Sequence, residues 1–340
     1  MTQDRCQQVR QLLHTTIFAQ SYSPCGKFLA AANNYGQIAV FSLAVALSPE
    51  ACTESCLPVF VFKANESGSI YSLISTDTLL LSAGEGEISA WKWADILGKA
   101  PKVEWSLTIP KKDVFSNPEV NSLVIENSEQ GTSRLFAGCG DNNVHIWNLE
   151  SGTLESTLTG HEDYVHCVCL KNHGRECVSA SEDGTCRIWD TRASLEAIHI
   201  LEPYKSEMCC RPQLGKWLAC VDMDSSEDWL VCGGGPHLSM WHMRSLSATT
   251  AFKTSGATHS FAMFYDDHVI SGGSRPYVNH WFVNGDLKSE VPCTPATVFN
   301  IDVNHKSDKY KVLTVVGSSS KIDVCTNFGY RAFSLNFKPF

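Results

Sequence analysis

His161, Ser179 and Asp183 fall within one short stretch, Thr159–Arg192 (TGHEDYVHCVCLKNHGRECVSASEDGTCRIWDTR). These are the side-chain types of a general base, a nucleophile and an orienting acid. Ser181 is a second candidate for the hydroxyl. A nucleophilic serine of this kind sits on a strained turn, yet no Gly-x-Ser-x-Gly elbow surrounds either serine. The competing role for the imidazole is to satisfy a buried Asp183 and the indole of Trp189, and that is the one expected. A zinc site is suggested by His161, His166, Cys167 and Cys169. Along a strand, however, Cys167 and Cys169 face one side and His166 the other, so they do not converge on one ion. Cys52-x-x-x-Cys56 has no second pair, and Cys209 and Cys210 are adjacent, which suits few metal geometries. Gly233–Gly235 resembles a phosphate loop in composition only, lacking its Lys and Ser/Thr. No catalytic, metal or cofactor site is therefore expected.

The elements that position these residues can be read from the same stretch. Gly160-His161 opens it and Trp189-Asp190 closes it. Between them lie three short apolar runs, Val165–Leu170, Cys177–Ala180 and Cys186–Trp189, with an Asp183-Gly184 turn. This is the WD-repeat signature of one β-propeller blade. In WD repeats a His, a Ser or Thr, the turn Asp and the Trp bond in series. The resemblance puts that tetrad on His161, Ser179, Asp183 and Trp189. Applied along the chain, the template finds anchors at Phe41, Trp91, Trp147, Trp189, Trp241, Trp281 and Cys325. Their steps of 50, 56, 42, 52, 40 and 44 residues approach the ~40–45 of this repeat class plus loop insertions. Strands ending in small residues precede the anchors: LLLSAG (79–84), RLFAGC (134–139), CVSASE (177–182), WLVCGG (229–234), HVISGG (268–273) and KVLTVV (311–316).

The expected fold class is all-β, a seven-bladed WD-repeat β-propeller with a short N-terminal helix or arm. Residues 1–13 form the arm and 14–340 the propeller, a closed ring with few exposed sheet edges. His14–Gln20 is expected as the inner strand of blade one and Tyr330–Phe337 as the outer strand of blade seven. Trp93, Trp105, Trp217 and Trp229 lie outside the anchor series and are assigned to packing.

Composition narrows the functional classes. The formal net charge is −9, and the adjacent lysines are Lys111 and Lys112. Nucleic-acid affinity rests on clustered Lys and Arg, so direct RNA binding is not expected. There are 15 cysteines, and MTQDRCQQVRQLL lacks the apolar core of a secretory signal. The expectation is a reducing compartment without a disulfide framework, with the Asn65 sequon unused. No apolar run approaches the ~20 residues of a membrane span.

Beyond the general repeat, SPCGKFLAAANNYGQIAVFSL, VCGGGPHLSMWHMRS and TNFGYRAFSLNF, with the central GHEDYVHC and EDGTCRIWD, resemble the family of sixth subunits of the THO complex. The likeness covers nearly the whole chain and departs in the linkers around 48–58 and 98–118 and in the last residues. It implies a non-enzymatic scaffold subunit of the nuclear THO/TREX assembly, which couples transcription and processing to messenger RNA export. Its partners would be other THO/TREX subunits, especially coiled-coil-bearing ones, with RNA met only indirectly, no membrane, and a part in higher-order oligomerisation. By WD-repeat analogy, Asp163, Tyr164 and Glu182 sit on a partner-binding face. Arg192, in the W-D-x-R sequence of 189–192, suggests an alternative: a substrate receptor of a cullin-type ubiquitin ligase.

Overall fold

A computed structural model describes residues 9–66, 68–111, 117–126, 133–192 and 196–337. Residues 1–8 of the expected arm, Ser67 of the sequon and Lys112 lie outside the described residues. Among the described residues, twenty-eight strands form seven four-stranded sheets, each built from four strands consecutive in sequence. The fold class is the seven-bladed β-propeller. The blades span residues 17–63, 70–108, 120–158, 165–201, 218–252, 259–292 and 298–336.

The chain divides into two compact units, Met1–Pro110 with Val291–Phe340, and Lys111–Glu290. The first holds blades one, two and seven. The second holds blades three to six, save the last two residues of the strand Leu287–Pro292.

All seven anchors lie on the third strand of their blade. Each pairs with an apolar residue of the second strand: Phe41 with Leu29, Trp91 with Leu80, Trp147 with Leu135 and Trp189 with Cys177. Trp241 pairs with Leu230, Trp281 with Val269 and Cys325 with Leu313. Successive side chains of a strand point to opposite faces, and both faces are used. In blade one, Leu29 and Ala31 join the core shared with blade seven, whereas Ala30 and Ala32 join the core shared with blade two. In blade four, Cys177 and Trp189 face blade three, while Val178 and Ile188 face blade five. Burial on both faces explains the near-continuous apolar second strands, where single-sided sheets would alternate. The small residues at their ends answer a close approach. A Cβ on Gly273 would lie 1.8 Å from the carbonyl oxygen of Thr258, just before the inner strand of blade six.

Within the first unit, blade one is joined to both neighbours. Phe18 packs its ring 5.3 Å from that of Tyr71 in blade two and 5.2 Å from that of Phe299 in blade seven. Gln20 Nε2 donates to the Thr314 carbonyl at 3.0 Å, and Tyr22 Oη meets Thr314 Oγ1 at 2.7 Å.

Some boundaries differ from expectation. The first strand is Ile17–Tyr22. Residues 9–13 are helical, and the backbone of His14 and the hydroxyl of Thr15 bond back to Arg10 and Gln11, which spends His14–Thr16 on ending the helix. The last strand is Phe333–Asn336, preceded by an exposed turn at Tyr330. The second strands of blades four and seven are Glu176–Ser181 and Leu313–Gly317. Short helices at Leu43–Ala46 and Trp93–Leu97 follow the anchor strands of blades one and two and fall below the length at which an amphipathic period is legible.

Phe41 is fully buried between blades. Phe41→Ala should cost ~3–5 kcal/mol, read as a lower midpoint in urea unfolding of the full chain, with Phe41→Leu costing clearly less.

Candidate functional site

The three polar residues of the opening stretch meet at one end of blade four. Trp189 Nε1 donates to Ser179 Oγ at 2.8 Å. Ser179 Oγ is 2.7 Å from His161 Nε2, and His161 Nδ1 is 2.8 Å from Asp183 Oδ2. The proton positions follow from the partners. The Asp183 carboxylate can only accept, which places the ring proton on Nδ1; Nε2 is then the acceptor, and the Ser179 hydroxyl donates to it while its oxygen takes the indole proton. The imidazole is then neutral, in accord with burial lowering the His161 pKa against the opposing pull of Asp183. Burial would raise the Asp183 carboxyl, but hydrogen bonds from His161 and Thr185 outweigh it and hold the pKa far below the usual carboxylate range. Thr185 gives Asp183 Oδ1 both its N–H (2.8 Å) and its hydroxyl (2.7 Å).

This connectivity matches that of a hydrolytic triad, and accessibility separates the two. Ser179 is 0% exposed and its oxygen already holds an indole N–H, so no acyl carbon reaches it while the blade is folded. Ser181 does a separate job: its Oγ donates to the Asp163 carbonyl and accepts the Asp183 N–H, bracing the turn.

Half of the motif recurs. Trp91 donates to Ser82 at 3.0 Å and Trp281 to Ser271 at 2.9 Å, both serines on the second strand as Ser179 is, whereas in blade five Trp241 donates at 2.9 Å to Ser239 of its own third strand. The other half varies. In blade three, Asp141 stands six residues before Trp147, as Asp183 does before Trp189. It is met by His145 of its own third strand, Nε2 to Oδ2 at 3.0 Å, with Nδ1 on Thr157 at 3.0 Å. In blade seven the buried Asp323 takes the hydroxyls of Thr294 (2.8 Å) and Ser334 (2.6 Å).

Sequence reasoning missed the cluster Cys139, Asp141 and His145, whose ligand atoms lie within 4.8 Å of one another. The spacing of Asp141 to Trp147 was the available signal. Both His145 nitrogens are already bonded, and burial lifts the Cys139 thiol well above its ordinary pKa, so a metal would have to displace these bonds and a proton.

Cys167 and Cys169 lie on the inner strand of blade four, and burial raises both thiols, Cys167 to about 11. His166 points away from them, 3.3 Å from Glu182 Oε2. At Gly233–Gly235 it is the carbonyls that are engaged. The Arg211 guanidinium donates to Gly235 O at 2.8 Å and Gly234 O at 3.3 Å, whereas a phosphate cradle offers N–H groups. Trp217 donates to the Leu214 carbonyl at 3.1 Å, and Trp229 packs 4.9 Å from the His242 ring.

The structure divides the four residues named for partner contact. Asp163, Tyr164 and Glu182 lie together at the tetrad end of blade four. The Glu182 N–H bonds the Tyr164 carbonyl, and Tyr164 is 44% exposed. Arg192 follows the far end of the strand Cys186–Asp190, one strand length away. Its Nε and Nη2 hold the two carboxylate oxygens of Asp190 at 3.1 and 3.0 Å.

The fold and the bonded tetrad define a WD-repeat propeller. Residues 152–190 match the family described as WD domain, G-beta repeat, which ends on the Trp189-Asp190 pair. Over nearly its full length the chain is similar to more specific relatives. It is 47% identical to the THO complex subunit 6 homolog of Danio rerio over 96% of this chain and 99% of that protein. It is 47% identical to THO complex subunit 6 of Homo sapiens, over 97% of this chain and 95% of that one. The Drosophila melanogaster THO complex subunit 6 is 31% identical over 93% of this chain and 88% of its own length. The chain belongs to the THO complex subunit 6 family.

Two outcomes test the electrostatics. His161→Ala leaves Ser179 and Asp183 each short of a partner, and should lower stability by ~1–3 kcal/mol, read as a fall in melting temperature. His259, fully buried, is held neutral down to about pH 3 by burial, with Arg211 and His237 adding to the effect. The unfolded chain takes up that proton near ~6.5, so acidification below that point favours unfolding. His259→Asn should therefore lose less stability than the parent between pH 7 and pH 4. The buried carboxyls of Asp222 and Asp302, raised to about 6 and about 7 by burial, respond with the opposite sign and cancel in the comparison.

Proposed function

We propose that this chain is a scaffold subunit of a THO complex, holding other THO subunits through exposed loops and supporting the coupling of transcription and processing to nuclear messenger RNA export. The observation that carries the reading is the near-full-length identity of 47% to proteins named as THO complex subunit 6, which spans the irregular blades as well as the regular one. The names of these relatives and of the repeat family point to a non-enzymatic role. Burial of Ser179 supports that reading for the His161–Ser179–Asp183 constellation.

In this proposal residues 1–13 are an arm ahead of a propeller of 14–340, and the working compartment is the nucleus. Coiled-coil-bearing THO subunits are the expected partners, and the propeller aids higher-order assembly of the complex. Asp163, Tyr164 and Glu182 form one contact patch, supported by their exposure beside a rigidly bonded turn. The net charge of −9 supports protein contacts over direct contact with RNA. The cullin-receptor alternative needs Arg192 for docking, but Asp190 holds that guanidinium through two bonds.

Tagged full-length protein recovered from nuclear extract should bring down THO subunits, and recovery of none overturns the assignment. Arg192→Ala should leave that co-purification unchanged. Appearance of cullin-ligase components with the parent and their loss with Arg192→Ala would favour the receptor instead. Isolated protein should show no saturable RNA binding at low salt.

A further inference from the structure

Blade six keeps the first half of the blade-four motif and inverts the second. Trp281 bonds Ser271 as Trp189 bonds Ser179. Six residues before the anchor stands Asp183 in blade four and Arg275 in blade six. Four residues before the inner strand stands His161 in one and Ser255 in the other. A guanidinium has replaced the turn carboxylate, and a small hydroxyl the imidazole. Both replacements line a cavity of about 100 Å³, walled also by Tyr277, Asn279, Trp281, Lys253 and His259.

The cavity is cationic in an acidic chain. Among the described residues neither Arg275 nor Lys253 has an ion-pair partner, and Glu290, also on the wall, pairs with neither. Behind it, buried Arg211 is bonded to carbonyls alone, including that of Ala257 on the cavity wall at 2.6 Å. The neighbouring His237 and His259 are both kept neutral, by burial first and then by Arg211. A second observation is independent of charge. Asn279 is 9% exposed, lines the cavity, and its Oδ1 has no hydrogen-bond partner.

We propose that this cavity is a docking pocket for an acidic side chain, Asp or Glu, of a partner polypeptide, which supplies from outside the carboxylate that the turn of blade six lacks. The guanidinium of Arg275 suits a carboxylate bidentately, and Lys253 adds a point charge. Asn279 Oδ1 requires a donor, which a peptide main-chain N–H next to the acid provides. The volume, roughly that of three waters, admits a carboxylate with its methylenes against Trp281 and excludes a nucleoside. This deepens the subunit reading by giving the chemistry of one contact. Its test uses no THO subunit, so its failure leaves the co-purification result standing.

The experiment is fluorescence anisotropy at low salt with the full-length protein and a labelled peptide of alternating Glu and Gly. Counterparts carry Gln or phosphoserine in place of Glu. The Glu peptide should bind saturably and the Gln peptide at least about tenfold more weakly. Arg275→Gln and Lys253→Gln should each weaken the Glu peptide about tenfold, and the surface change Arg244→Gln, beyond the opposite end of the third strand Leu238–His242 of blade five and outside the cavity wall, should not. Melting temperatures accompany each variant; if Arg275→Gln loses the fold, Lys253→Gln carries the test. No saturable binding, equal binding of the Gln peptide, or indifference to the pocket variants overturns the proposal. Tighter binding of the phosphoserine peptide overturns it in favour of phosphate recognition.

Discussion

The structure depends on a single constraint: the middle strands of each blade are apolar on both faces. Leu29 and Ala31 serve one neighbouring blade while Ala30 and Ala32 serve the other. A sheet of this kind left alone would expose two hydrophobic surfaces, and no single partner sheet could cover both. At ~25 cal/mol per Å² of apolar surface removed from water, stacking blade on blade is what makes each blade stable. The period of two along a strand therefore distributes residues between two cores, in place of the core-and-solvent division of an ordinary sandwich. Outer strands escape the constraint, and their polar faces show it: Thr153–Leu158 is exposed along its first half.

Stacking settles the strands but not the turns, and the turns must satisfy polar groups at the crowded ends of the blades. Blade four does so with an imidazole that arrives from the preceding loop. Blade three draws the imidazole from its own third strand, and blade seven uses hydroxyls on a buried carboxylate. Blade five brings in Arg211 from its long connecting segment and ties four carbonyls. These are different answers to one requirement, that a buried donor or acceptor find a partner. The indole-to-serine bond beneath them joins third strand to second in blades two, four and six, while in blade five the serine comes from the third strand itself.

What was legible in the sequence follows from this division. Anchors, second strands and blade number could be read because stacking imposes the same residue classes at the same spacing in every blade, even where Phe41 and Cys325 replace Trp. The ends of the first and last strands could not, because His14–Thr16 and Tyr330 are decided by hydrogen bonds to a helix and by a turn. The tetrad of blade four was legible because its His and Asp both occupy their usual places. The His145–Asp141 pair was not, because the same chemistry is delivered from another strand and leaves no Gly-His signature. Arg192 lies ten residues from Glu182 in the sequence, yet a strand of five residues carries it ~17 Å from that end of the blade.

The same separation explains where a propeller family can diversify. A residue on a middle strand is fixed by two neighbouring blades, so a charge there would be buried against both cores at a cost of several kcal/mol. A residue in the turn before the third strand lies beyond the stacked region and answers only to local polar partners. Replacing Asp by Arg at such a turn leaves the Trp281–Ser271 bond and the apolar pairing of Trp281 with Val269 untouched. It nonetheless reverses the local field in a chain whose total charge is −9. Total charge therefore says little about what any one turn attracts. The turn at Arg275 can therefore change its charge without any demand on the blades beneath, which is why the regular repeat reports the fold and says little about its turns.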